Sequence, residues 1–155
     1  MIRHIDVHAV LRESVPGVYA DLVTRPTGRM VRERIERTMA RATEVGAGAA
    51  GDDVAITRID FRGVRCIDYS CADEIVAKLL RGQPAVLVLS GINDGHREAI
   101  EPVLAGHGLA ALVERPDGTL DVLGAPEAAN ALLDALVGRR LAARTPGGTV
   151  ALTLA

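Results

Sequence analysis

Apolar residues recur at three- and four-residue spacing from position 31, where Val31, Ile35, Met39 and Ala42 fall on one side of a predicted helix. Thr24 is placed to cap this helix, and Pro26 suits its first turn, where a missing N–H costs nothing. The helix runs out in the small-residue stretch Gly46-Ala47-Gly48-Ala49-Ala50-Gly51, which reads as a connector. Residues 54–61 (VAITRIDF) alternate and are rich in β-branched side chains, which predicts a strand. Asp68-Tyr69-Ser70 reads as a turn, and Ile75, Val76, Leu79 and Leu80 mark a second helix ending at Gly82. Residues 85–89 (AVLVL) are apolar throughout, the pattern of a strand buried on both faces. A loop over 90–95 leads to a helix through Ile100, Val103 and Leu104 that stops near Gly106. Residues 109–114 and 119–123 flank Pro116-Asp117-Gly118 as a hairpin. A helix over 127–137 follows, with Ala128, Leu132, Leu133 and Leu136 on its apolar side. Finally, residues 141–144 and 149–154 flank Pro146-Gly147-Gly148 as a second hairpin. Residues 1–23 fit either a strand or a short helix, broken at Pro16 and Gly17.

The alternation of strands and helices predicts an α/β fold with a mixed sheet and helices packed on it. At 155 residues and 16.3 kDa the chain is sized for one domain, 1–155. Its core must be aliphatic, because two Tyr, one Phe and no Trp are the whole aromatic content. So few rings argue against single-stranded nucleic acid, which is bound on aromatic platforms. A net charge of −2 gives no support for a bulk polyanion binder. Two cysteines, Cys66 and Cys71, are too few for a four-thiolate zinc site or a disulfide framework. The N-terminus has no apolar core of a signal peptide, and no apolar run reaches the ~18 residues of a membrane span. A cytoplasmic location is the expectation.

Most candidate chemistry dissolves on spacing. The 46–51 glycines match G-x-G-x-x-G in letters, but a helix precedes them and a strand follows, the reverse of what pyrophosphate binding needs. Cys71 sits where a helix dipole would lower its pKa, yet Asp73 and Glu74 next door disfavour a thiolate. Cys66, at a strand end, is expected to pack. His4 and His8 lack a third ligand, and His96 and His107 lie at opposite ends of one helix, so all four read as surface histidines. Asn93-Asp94-Gly95 is a turn before a helix rather than a calcium loop. No nucleophile–base pair emerges from Asp68, Cys71 and His96, so no enzyme, metal or cofactor is predicted. Between 25 and 41, six arginines meet two glutamates, and Arg25, Arg29 and Arg32 share one helical side. That side is either a basic surface for phosphates or an acidic partner, or the solvated face of an amphipathic helix.

The stretch from Ile59 to Glu74 holds the most information. It reads as a strand, a bend, an acidic turn and a helix start in which Ser70 and Asp73 fit the S-x-x-D form of an N-terminal cap. Ser70 therefore has a structural reading, a cap worth ~1 kcal/mol. It also has a functional one, a regulatory phosphoserine whose charge the helix N-terminus tolerates.

At these residues the chain resembles the STAS family, named for sulphate transporters and anti-sigma-factor antagonists. The resemblance lies in the strand 56–61, the bend 62–66 and the turn Asp68-Tyr69-Ser70-Cys71. Thr24-Arg25-Pro26-Thr27-Gly28-Arg29 further resembles a STAS-like subgroup of bacterial proteins. The resemblance covers residues 18–137, with 138–155 as a C-terminal hairpin extension. It implies a STAS-like mixed sheet backed by helices, and a non-catalytic regulatory module that binds a protein partner. By motif position Ser70 matches the phosphoacceptor and Asp68 the acidic residue before it, while Tyr69 and Cys71 depart from the usual small residues. The implied surface comprises Ser70, Asp68, Tyr69, Cys71 and Asp73, and the implied partner is an anti-sigma factor or serine kinase. Residues 128–152 also resemble the last helix and wing of a winged-helix domain, with Arg139, Arg140 and Arg144 as DNA-backbone contacts. That is the alternative function, a DNA-contacting transcriptional regulator.

Overall fold

The structure, a computed structural model, describes residues 2–14, 21–45, 55–82 and 85–153. The 46–51 connector and the break at Pro16 and Gly17 lie outside the described residues.

Strand β1 (Ile2–Asp6) leads directly into helix α1 (Val7–Ser14), so the ambiguous N-terminus holds one of each. A two-residue strand, β2 (Asp21–Leu22), precedes helix α2 (Arg25–Val45). Thr24 starts α2 as its spacing predicts, with Oγ1 accepting from the Thr27 N–H at 3.3 Å. Strand β3 (Ala55–Asp60) and a second two-residue strand, β4 (Cys66–Ile67), follow. The next helical stretch is composite: α3 (Tyr69–Ala72), a π-helical turn (Asp73–Ala77) and α4 (Lys78–Gly82). Then come β5 (Ala85–Ser90), α5 (Asp94–Gly106), β6 (Ala110–Glu114), β7 (Thr119–Gly124), α6 (Pro126–Gly138), β8 (Ala142–Arg144) and β9 (Val150–Leu152).

Seven strands form one mixed sheet in the order β1-β3-β5-β6-β7-β9-β8. The first four are parallel, and the rest pair antiparallel. β2 and β4 form a separate parallel pair, Asp21 with Cys66 and Leu22 with Ile67.

The side-chain period of two sorts the sheet into two faces. Leu87 and Leu89 of β5 join Ile59, Val113 and Leu123 under α1, α2, the π turn and α5. Val86 and Val88 face the other way, with Ile56, Leu112 and Leu120, beneath Leu136 of α6. β5 is therefore buried on both faces, as its unbroken apolar run predicts. No helix among the described residues is long and apolar enough to cross a membrane.

Candidate functional site

The bend after β3 is a tight turn in which the Val64 N–H donates to the Phe61 carbonyl at 2.9 Å. Gly63 takes φ 92° there, and a Cβ would meet the His8 ring at 3.0 Å, so no other residue fits without strain. Beyond the turn, β4 is held against β2, and the Asp68 N–H continues that ladder to the Leu22 carbonyl at 2.9 Å. This pairing keeps Asp68 extended (φ −96°, ψ 175°) at the last step before the helix.

Asp68 is consequently the N-cap, and the expectation that Ser70 caps this helix is corrected. Asp68 Oδ1 accepts from the Cys71 N–H at 2.8 Å and from Ser70 Oγ at 2.8 Å. Burial alone would raise the Asp68 carboxyl, but the hydrogen bonds from Cys71 and Ser70 hold it below its ordinary value. Ser70 is already inside the helix, half-buried, on the wall of an open groove of about 510 Å³ that it shares with Arg25, Tyr69, Asp73 and His107. Tyr69 stands beside it 64% exposed.

Cys71 is disfavoured as a thiolate, as expected, whereas Cys66 is placed differently from expectation. Cys71 is buried, donates to the Thr24 carbonyl at 3.0 Å, and has its pKa pushed up to about 12 by burial and by the Asp68 charge. Cys66 does not pack inside. It is exposed, because its strand is only two residues long and its side chain turns outward to Asp21 Oδ1 at 3.2 Å. That hydrogen bond raises its thiol as well.

The strongest electrostatic feature is one that spacing did not single out. The Glu74 side chain is 0% exposed, and three cations from two elements converge on it. Lys78 Nζ lies 2.7 Å away, Arg25 Nη1 2.9 Å and Arg32 Nε 3.3 Å. Burial pushes the Glu74 carboxyl up, but the Lys78 and Arg25 hydrogen bonds and the Arg32 charge outweigh it and hold the group ionised below its ordinary value. Arg25 Nη1 also reaches Asp73 Oδ2 at 2.9 Å, and His107 Nε2 reaches Asp73 Oδ1 at 3.1 Å. Adjacent carboxylates can share one guanidinium here in a widened turn, where the Lys78 N–H bonds back five residues to the Asp73 carbonyl. Arg32 also bonds Glu36 at 2.8 Å, so it belongs to this internal network, whereas Arg29 is exposed on α2.

His96 is buried rather than superficial. Its Nδ1 accepts from the Asn93 N–H at 3.1 Å, which makes Nε2 the donor to the Val64 carbonyl at 2.9 Å. Asn93 Oδ1 returns the bond to the His96 N–H at 2.8 Å, closing a reciprocal cap on α5. The other histidines are peripheral: His4 lies 3.4 Å from Arg58 Nη1, and His8 packs on Gly63. Asp68 takes the Cys71 backbone N–H, the Cys71 thiol goes to the Thr24 carbonyl, and His96 lies apart from both on the Val64 carbonyl. Among the described residues no group of three or more His, Cys, Asp or Glu is placed to hold a metal.

At the C-terminal end, Arg139 and Arg140 are exposed just past α6, with Arg140 at φ 62°, and Arg144 lies 3.5 Å from Asp134. α6 buries its apolar side on β6, β7 and β8, so these arginines flank a sheet-packed helix. Compared with protein-family models, curated proteins and solved structures, the chain matches none.

Proposed function

We propose that this chain is a non-catalytic, cytoplasmic regulatory module that binds a protein partner through Ser70 and the helix beginning at Tyr69, under control of Ser70 phosphorylation. The fold that goes with this reading is a STAS-like sheet over residues 18–137 with a C-terminal hairpin extension. The partner is an anti-sigma factor or a serine kinase.

One observation carries the proposal. The cap of the Tyr69 helix is Asp68, which holds the Cys71 N–H, so modification of the Ser70 hydroxyl removes one hydrogen bond to Asp68 and leaves the cap in place. It sits instead on an open groove beside an exposed tyrosine, a polar and aromatic combination typical of interaction sites. Among readings of Ser70, a cap alone would have required the hydroxyl to accept from the helix N–H groups, and it donates to Asp68 instead.

The test is occupancy and consequence. Mass spectrometry of the chain isolated from its own cells should find phosphate on Ser70. A binding assay with the co-purifying partner should give strong binding for Ser70→Ala and weak binding for Ser70→Asp, with both variants folded and melting within a few degrees of wild type. Equal affinity of the two variants would remove the switch.

A further inference from the structure

We infer that Arg25 is the receiver for a phosphate on Ser70, an intramolecular clamp that would retie helix α2 to the Tyr69 helix when the serine is modified. The inference rests on the reading of Ser70 as a phosphoacceptor and adds what reads the phosphate out. The modification itself is a transfer from a nucleoside triphosphate by the partner kinase. The Ser70 Oγ–P bond forms, the terminal phosphoanhydride bond breaks, the nucleoside diphosphate leaves, and the hydroxyl proton goes to a base of the kinase.

Arg25 and Ser70 line the same groove. Arg25 contacts both of its carboxylates through the single nitrogen Nη1, at 2.9 Å to Asp73 and 2.9 Å to Glu74. Among the described residues its Nε and Nη2 have no protein partner, so part of the planar fork is available to an incoming anion. Both carboxylates also keep other partners if Arg25 turns away. Glu74 retains Lys78 at 2.7 Å and Arg32 at 3.3 Å, and Asp73 retains His107 at 3.1 Å and Arg81 at 3.8 Å. Arg25 can thus leave both carboxylates without stranding either.

Phosphoserine offers three acceptor oxygens and about −1.5 to −2 charge, which a guanidinium meets in bidentate geometry. The charged groups beside it would be Asp68, bonded to Ser70, and Asp73 on the repelling side, and Arg25 on the attracting side, with the His107 ring on the same groove and Glu74, Lys78 and Arg81 behind them in the ion-pair network. Modification costs Asp68 the Ser70 hydroxyl but leaves it the Cys71 N–H, so the helix start survives. Arg25 is the first residue of α2, so a phosphate drawing it across the groove changes how that helix is tied down.

The test uses the full chain with phosphoserine installed genetically at position 70, in a His107→Gln background that keeps the imidazole out of the titration window. Phosphorus NMR should give a second acid constant roughly tenfold higher than in the same chain unfolded in urea. Adding Arg25→Gln should return most of that factor, and an unchanged titration would overturn the clamp. If the double variant fails to fold, the Arg25 guanidinium N–H signals are followed in the foldable background. They should shift and exchange more slowly on phosphorylation, and identical signals in both forms would overturn the clamp equally. Partner binding indifferent to Ser70 phosphate, with the titration effect intact, would instead sink the signalling reading and leave the clamp standing.

Discussion

Replacing Glu74 by Gln tests whether the buried carboxylate network holds α2 to the Tyr69 helix. The substitution keeps shape and removes one charge from a side chain that is 0% exposed and contacted by Lys78, Arg25 and Arg32. Truncating a fully buried ion pair costs ~3–5 kcal/mol, chiefly because a charge is left without partner or water. Here Arg25 is 44% exposed and Lys78 34%, so both regain water, and Arg32 keeps Glu36 at 2.8 Å. What remains is the loss of charge-assisted hydrogen bonds and an amide NH2 aimed at cations, so the expected loss is about 2–3 kcal/mol. For a chain of this length that is a drop of roughly 4–12 °C in Tm. The pH dependence carries a sign. Glu74 titrates below its ordinary 4.5, so its contribution is fully present above that pH and fades as pH falls through the folded value. Urea unfolding followed by circular dichroism should therefore show the largest gap between wild type and Glu74→Gln at pH 7, narrowing below pH 4.5. A gap under about 0.5 kcal/mol at pH 7, the size of an ordinary surface change, would refute the reasoning.

Four further outcomes are expected. In the folded protein at pH 8, a thiol reagent should modify Cys66 alone, because Cys71 is buried with its pKa pushed up to about 12; two fast-reacting thiols before unfolding would contradict this placement. His96 is held neutral by burial, below its ordinary 6.5, so the unfolded chain takes up the proton first and stability falls as pH drops beneath 6.5. His96→Gln should lose that limb in denaturation measured at pH 8 and pH 5.5, and an unaltered limb would assign it elsewhere. Gly28→Ala should destabilise by about 1 kcal/mol, since the new Cβ meets the Cys71 Cα at 3.1 Å and overpacking outweighs the better helix propensity. Gly138→Ala, with nothing within 4 Å, should be neutral or stabilising by calorimetry.

The parts of the fold legible in the chain are those written in its periods. The run at 85–89 announces a strand covered on both sides, and Val31, Ile35 and Met39 announce the buried stripe of α2. The parts that stayed hidden depend on partners distant in sequence. β2 and β4 are two residues each, too short to carry a period, and they exist because each supplies the other's ladder. That pairing in turn decides the cap. It holds Asp68 extended and pulls Ser70 into the first turn, which no local rule separating S-x-x-D from D-x-S could decide. His96 looked like a surface histidine because its partners are backbone groups, one of them 32 residues away. The burial of Glu74 is equally non-local, as the arginines that compensate it lie 42 and 49 residues upstream. A signal was nonetheless present: Glu74 is enclosed in sequence by Cys71, Ala72, Ile75 and Val76, all of which are buried.

These distances also explain the segment Thr24-Arg25-Pro26-Thr27-Gly28-Arg29, whose meaning is not local. Thr24 does two jobs, starting α2 with its side chain and receiving the Cys71 thiol on its carbonyl at 3.0 Å. Gly28, one turn on, lets the Tyr69 helix approach until any side chain would strike the Cys71 backbone. Close approach of two helix starts would normally crowd their polar groups, and Arg25 together with Arg32 converts that crowding into ion pairs with Asp73 and Glu74. Lys78, the only lysine in the chain, completes the set from the other side. The start of α2 and the helix carrying Ser70 are therefore one mechanical unit with a charged hinge. Of the three cations on Glu74, Arg25 is the one that lines the groove with Ser70, so a new charge on Ser70 would act first on Arg25.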